Sequence, residues 1–248
     1  MRQNFERDSR ENAGLLISTH IMSSDQEKQA AARASLKFIQ EGNIVGLGSG
    51  STAAYFIQFL GERVRGGLKI RGIPTSVDAQ RLAQSCGIPL TTLDQVDHID
   101  VDVDGADEFD PQLRLIKGGG GALLREKIVA SVSRKFVVVA DSAKQVAMLG
   151  KFPLPVEVIS FAQTVLTRRI TVLGATVKLR QNAQGVPYKT DEGHHILDCH
   201  FGQIPDPPAL ARTLSDLPGV VEHGLFINLA SVVLVGKGSE VVEIPARA

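Results

Sequence analysis

Three stretches of the chain combine side chains able to do chemistry with a spacing that would bring them to one ligand. The first is Gly46-Leu47-Gly48-Ser49-Gly50-Ser51-Thr52, small residues between an apolar run, Ile44 to Leu47, and a helical pattern from Ala53 to Val64. At such a strand-to-helix turn, backbone N–H groups, three hydroxyls and a helix N-terminus can all face one anion, and a phosphate suits that arrangement. The stretch is not a dinucleotide fingerprint, because Ser51 stands where the third glycine would be, nor a P-loop, because no Gly-Lys-Ser/Thr follows. Ser76, after another strand and opening another helix, is a weaker candidate for the same anion.

The second stretch is Asp100-Val101-Asp102-Val103-Asp104-Gly105-Ala106-Asp107-Glu108, where alternation places Val101 and Val103 on one strand face and acids crowd its end. Carboxylates packed this closely repel one another, so some should have raised pKa values or cationic partners. A divalent metal is the obvious rival partner, but Lys117 and the four glycines Gly118, Gly119, Gly120 and Gly121 suit anionic oxygens better. Asp100 and Asp102 read as a solvated strand end. In the third stretch, Lys117 to Lys127, each glycine would cost about 0.5–1 kcal/mol relative to alanine in a regular element. Four in a row therefore imply that something needs the bare backbone. Glu126, on the helix after this loop, would alone be an ordinary surface carboxylate; its context promotes it.

His194, His195, Asp198 and His200 resemble metal ligands but lack a helical His-x-x-x-His spacing or paired cysteines, so no metal is expected. No Gly-x-Ser-x-Gly elbow with an assignable histidine supports serine hydrolase chemistry.

The elements that must position these residues follow from pattern. Ser24 with Glu27 forms a capping box, and apolar spacing up to Gly42 predicts a helix over 24–41. Strands at 44–47, 70–74, 99–103 and 136–140 alternate with helices at 53–64, 76–86 and 123–133, which predicts a parallel sheet with helices on both faces. Ligands in such sheets bind beyond the carboxyl ends of the strands. At Gly150 the texture changes, with Lys151-Phe152-Pro153-Leu154-Pro155 interrupting regular structure. Beyond it, strand 156–159, helix 161–173, strands 176–180 and 196–199, helix 208–217 and a strand at 220–221 give the β-α-β-β-α-β order of a ferredoxin-like module. The Val- and Leu-rich run 225–244 is expected to return to the first sheet. The expected division is a disordered extension over 1–21, an α/β domain over 22–149 plus 225–248, and a smaller α+β domain over 150–224.

Composition sets limits on function. At 248 residues and 43% apolar, the chain can bury a full core. Its 27 Lys plus Arg balance 27 Asp plus Glu, which disfavours a generally basic nucleic-acid binder. Runs such as Phe136 to Ala140 and Ala230 to Val235 fall far short of the roughly 20 residues of a membrane helix. Cys86 and Cys199 show no Cys-x-x-Cys spacing, which argues against a disulfide scaffold or zinc site and fits a reducing cytoplasm. The leader interleaves Arg2, Arg7 and Arg10 with Glu6, Asp8 and Glu11, unlike a secretory or mitochondrial signal, and Met22 is the expected initiator.

Taken in order, Gly46 to Ala53, Asp104-Gly105-Ala106-Asp107, Lys117 to Lys127 and Lys151 to Glu157 make the chain resemble ribose-5-phosphate isomerase type A, from about Ser24 to the C-terminus. The resemblance implies a Rossmann-like catalytic domain with a smaller ferredoxin-like lid, and no metal or organic cofactor. It implies interconversion of ribose 5-phosphate and ribulose 5-phosphate through a cis-enediolate, with Glu126 as general base. It places Asp104, Asp107 and Lys117 at the sugar's reacting end. Around substrate and phosphate it places Lys28, Ser49, Gly50, Ser51, Thr52, Gly118, Gly119, Gly120, Gly121 and Lys144. Position 49 is often Thr in that family, and Ser keeps the hydroxyl. Partial burial under the lid should bring Glu126 towards neutrality. The expected partner is a small sugar phosphate, with no nucleic acid or membrane, and the expected assembly is a homodimer or homotetramer. The rival readings are an amino-sugar phosphate deaminase, marked by ammonia release, and a non-catalytic sugar-phosphate sensor, which should lack Glu126 or Lys117.

Overall fold

The computed structural model describes residues 23–238 and 240–246; the extension expected over 1–21 lies outside them. The chain runs α1 (Ser24–Ser35), β1 (Ile44–Leu47), α2 (Ser51–Arg65), β2 (Arg71–Pro74), α3 (Val77–Ser85), β3 (Val101–Gly105), β4 (Glu108–Phe109), β5 (Leu115–Ile116), α4 (Leu123–Ser131) and β6 (Phe136–Asp141). It continues through β7 (Leu154–Val158), α5 (Gln163–Val172), β8 (Thr176–Leu179), β9 (His195–His200), α6 (Pro207–Ser215) and β10 (Val220–His223), and ends with β11 (Leu225–Phe226), β12 (Val232–Lys237) and β13 (Glu240–Pro245).

Six strands form one sheet in the order β13-β12-β6-β3-β1-β2, parallel throughout except for the edge strand β13. One face buries Val45, Leu47, Val101, Val103, Val137, Val139 and Leu234 against residues of α1, α2 and α3. Because strand side chains alternate, Gly46, Asp102 and Asp104 belong to the opposite face, and a side chain at Gly46 would strike both Asp102 and Val129 of α4. The acids of β3 are therefore roofed by α4 rather than by water.

The second sheet has the order β10-β7-β9-β8 and is antiparallel, with α5 and α6 packed on one side through Leu166, Ile170 and Leu214. This is the ferredoxin-like module predicted from the element order. The run after 224 does return to the first sheet, as β12 and β13. The two-residue strands β4, β5 and β11 pair into a third small sheet that pattern reading did not anticipate. The first cap also shifts by one residue. Ser23, not Ser24, caps α1 and pairs reciprocally with Gln26, which leaves Glu27 free for a different task. Among the described residues no helix is long and apolar enough to cross a membrane.

Candidate active site

The carboxyl ends of β1 and β3, the loop after β5 and the start of α4 converge on one cleft of about 110 Å³. Of the residues singled out from sequence, it is lined by Lys28, Ser49, Gly50, Ser51, Thr52, Asp107, Lys117, Gly118, Gly119, Gly120, Glu126 and Lys144. Asp104 and Gly121 do not line it. A larger cavity of about 490 Å³ lies beside α3 and α4, lined by Gln80, Leu90, Thr91 and Ile128 among others. Its one basic side chain, Arg125, is already paired with Glu192, so convergent chemistry favours the smaller cleft.

Lys117 is the hub. Although almost fully buried, its Nζ sits 2.9 Å from Asp104 Oδ2 and 3.4 Å from Glu126 Oε2, and it donates to the Gly105 carbonyl at 2.6 Å. Burial alone would lower its pKa, but the two carboxylates more than offset this and the net shift is upward. Asp104 is fully buried and accepts from the backbone N–H of Ser49 (2.9 Å) and of Gly105 (2.7 Å). A side chain at Gly48 would collide with this carboxylate, so that glycine is fixed by close approach.

Glu126 is 4% exposed, and its Oε2 has no hydrogen-bond partner among the described residues. Burial, with smaller contributions from Asp104 and Asp107, raises its pKa to about 8, against the opposing pull of Lys117. The residues on either side anchor it to the second sheet. Arg125 Nε donates to Glu192 at 2.6 Å, and Lys127 Nζ donates to Glu222 (2.6 Å) and to the His223 carbonyl (2.5 Å). Asp107 Oδ2 accepts from the Gly119 amide at 2.7 Å.

At the other end of the cleft α2 begins at Ser51, preceded by Gly50, so its unpaired N-terminal amides and the hydroxyls of Ser51 and Thr52 sit at the positive end of a helix dipole. Lys28 and Lys144 bring two cations from α1 and from the turn after β6. Glu27 joins those two elements, accepting from Ser142 N (3.0 Å), Ser142 Oγ (2.8 Å) and Gly238 N (2.9 Å). One end of the cleft can thus hold a dianion, and the other places a buried carboxylate beside a buried ammonium.

The matrix of relatives agrees with this geometry. Residues 71–240 match the model of the family described as ribose 5-phosphate isomerase A (phosphoriboisomerase A). The chain belongs to the ribose 5-phosphate isomerase A family. It is 54% identical over 230 residues to ribose-5-phosphate isomerase A of Rhodopseudomonas palustris (strain BisB5), covering 90% of this chain and 98% of that protein. The corresponding protein of Parvibaculum lavamentivorans is 51% identical, over 90% of this chain and all of that one. A solved D-ribose-5-phosphate isomerase in complex with phospho-erythronic acid superposes with a TM-score of 0.88 at 43% identity, covering 90% of this chain and 100% of that one. The ribose 5-phosphate isomerase A of Methanocaldococcus jannaschii does so with 0.87 at 41%, with the same coverage.

Several expectations need correction. Asp102 is no solvated strand end: it is fully buried, and neither carboxyl oxygen has a hydrogen-bond partner among the described residues. Burial first, and Asp104 second, raises its pKa well above the usual carboxylate range. Ser76 is a helix cap, accepting from Ala79 N, and it receives the Ser49 hydroxyl at 2.7 Å. Ser49 Oγ also lies 2.9 Å from Thr75 Oγ1, so that hydroxyl ties the loop to the end of β2 instead of pointing freely at an anion. Of the four loop amides, that of Gly119 is taken by Asp107 and that of Gly121 by the Gly118 carbonyl. Glu108 accepts from Gly150 N and Phe152 N and so anchors the Lys151-Phe152-Pro153 segment. Three of the four residues of the histidine cluster are engaged elsewhere: His194 bonds Glu157, His195 bonds Gln163, and Asp198 holds Arg180. Among the described residues no group of three or more His, Cys, Asp or Glu side chains could hold a metal ion.

The state of Asp102 has a consequence for stability. Its folded pKa is raised, so the fold retains a proton that the unfolded chain gives up near pH 4. Its contribution is fully present below that pH and is lost as pH rises towards the folded value. Asp102→Asn should therefore flatten the fall of unfolding free energy with rising pH, measured by urea denaturation across a pH series. An unchanged slope would mean that the carboxyl ionises in place.

Proposed function

We propose that the protein interconverts D-ribose 5-phosphate and D-ribulose 5-phosphate by proton transfer, serving the non-oxidative exchange of pentose phosphates. The observation that carries this reading is the buried carboxylate of Glu126 beside the Lys117 ammonium, in the same cleft as a helix N-terminus and two lysines suited to a phosphate.

The steps follow from the groups. Phosphate contacts from Ser51, Thr52, Lys28 and Lys144 tether the far end of the open-chain sugar, and this remote binding holds the reacting carbons in place. Glu126 takes the proton from C2, the carbonyl oxygen O1 gains charge, and a cis-enediolate forms. Lys117 stabilises that charge from within a site of low dielectric. Glu126 then returns the proton to C1, while the O2 hydroxyl loses its proton and O1 gains one. Asp107, which lines the cleft and is held by Gly119 N–H, moves that second proton. Asp104, bonded beneath Lys117 and away from the cleft, fixes the cation. A raised pKa makes Glu126 a stronger base than an ordinary carboxylate. The phospho-erythronic acid in one solved relative, a sugar acid that carries both a carboxylate and a phosphate, has the two kinds of charge this cleft would meet in the intermediate.

The direct experiment is to incubate purified protein with ribose 5-phosphate and follow ketose formation; no ketose would refute the reading. Hydrogen bonds to charged groups contribute about 1.5–3 kcal/mol each. Ser51→Ala with Thr52→Ala should therefore raise KM for ribose 5-phosphate by about a hundredfold or more, with a smaller effect on kcat. Should wild-type protein bind ribose as tightly as its 5-phosphate, the anion cradle is wrong.

A further inference from the structure

The glycine loop between β5 and α4 is held from outside by side chains that the proton-transfer scheme does not use. Arg180, just after β8, donates from Nη1 to the carbonyls of Gly118 (2.9 Å) and Gly119 (3.1 Å). Its remaining nitrogens are taken by Asp198 of β9, Nε to Oδ2 at 3.0 Å and Nη2 to Oδ1 at 2.5 Å. A guanidinium gripped bidentately keeps one plane. Tyr188, further along the β8–β9 connection, donates to the Gly120 carbonyl at 3.3 Å and occupies the space that a side chain at 121 would need. That connection is itself anchored, with Asp191 Oδ2 accepting from Val77 N at the start of α3 (2.8 Å) and Glu192 paired with Arg125.

In a planar trans peptide the carbonyl and the next N–H point in opposite directions. Aiming the Gly118 carbonyl at Arg180 therefore turns the Gly119 N–H the other way, where it meets Asp107. The same holds for the Gly119 carbonyl and the N–H of Gly120, which lines the cleft. Glycines have the widest choice of backbone conformation, and Gly118 and Gly121 use it with φ of +102° and +86°. An untethered loop of this kind would have several orientations open to its peptide planes.

We propose that Arg180 is a positioning residue for the isomerisation: clamped by Asp198, it fixes the peptide planes of Gly118 and Gly119 so that the Gly119 N–H holds Asp107 and the Gly120 N–H faces the sugar's reacting end. This role rests on the proposed function and adds to it a contribution from the second sheet, delivered through the loop and not by contact with substrate.

The test compares wild type with Arg180→Gln and Arg180→Lys in steady-state kinetics with ribose 5-phosphate, and in amide hydrogen exchange over residues 118–121. Small misplacements of catalytic groups cost up to about a hundredfold. Arg180→Gln should therefore lose about tenfold to a hundredfold in kcat with KM nearly unchanged, and the Gly119 amide should exchange faster. Lysine, which cannot both grip Asp198 bidentately and reach two carbonyls, should recover only part of kcat. A purely structural role would lower the melting temperature and leave kcat per folded molecule intact. That outcome, or unchanged exchange at Gly119, overturns the proposal while the isomerase reading stands. Absence of isomerisation by wild type is seen before any variant is made and removes the reaction together with this role.

Discussion

Glu126→Gln should lower kcat by about 10²–10⁴-fold while leaving the affinity for ribose 5-phosphate close to that of wild type. Glutamine keeps the size of the side chain and can still face Lys117, but its amide has no useful basicity. The phosphate end of the cleft is built from α1, α2 and the turn after β6, whereas Glu126 belongs to α4. The effect should thus fall on kcat and spare KM. The pH profile gives an independent check. A base must be ionised to act, so kcat/KM should rise with pH through the pKa of Glu126 in the free enzyme. That limb should lie well above the ordinary carboxylate range, towards the value of about 8 set chiefly by burial, and it should vanish in the glutamine variant.

Lys117→Met should reduce kcat by about 10²–10³-fold, the usual consequence of removing a preorganised donor from a developing oxyanion. It should also destabilise the fold by about 3–5 kcal/mol, because removing one member of a buried charge cluster leaves the others unpaired. Here the others are Asp104, fully buried, and Glu126, nearly so. The two effects can be separated. Adding Asp104→Asn to Lys117→Met should restore much of the stability, since the stranded charge is gone, but none of the rate. Lys117 also holds the pKa of Glu126 down, so residual activity should show its rising limb at higher pH than wild type. Thermal or urea unfolding alongside steady-state kinetics checks each part; a Lys117→Met protein of wild-type kcat would remove the electrostatic role assigned to it.

Much of this arrangement is legible in the sequence. Alternating apolar runs and helical spacing give the parallel sheet and the ferredoxin-like module because burial demands a period of two or of 3.6 residues. Lys28 and Lys144 are different: no local pattern marks them, and only the family resemblance singles them out. Asp102 reads as a solvated strand end because acids crowd that stretch of sequence, yet it is fully buried. In a parallel sheet both faces are covered, so residues opposite Val101 and Val103 lie under α4. Arg180 and Tyr188 left no local signal at all, since they act 61 to 68 positions away in sequence. The one clue was the tetraglycine itself: a loop so free needs an external hold. Strands such as β4 and β5 escaped because two residues carry no period.

The most direct measurement follows deuterium at C2 of ribose 5-phosphate in D₂O, for wild type and for Glu126→Gln at saturating substrate. Wild type should introduce solvent deuterium as the enediolate forms and collapses, while the glutamine variant, still occupied by substrate, should introduce none above the uncatalysed rate. Exchange by the variant at the wild-type rate would show that another group carries the proton and would contradict the assignment of Glu126.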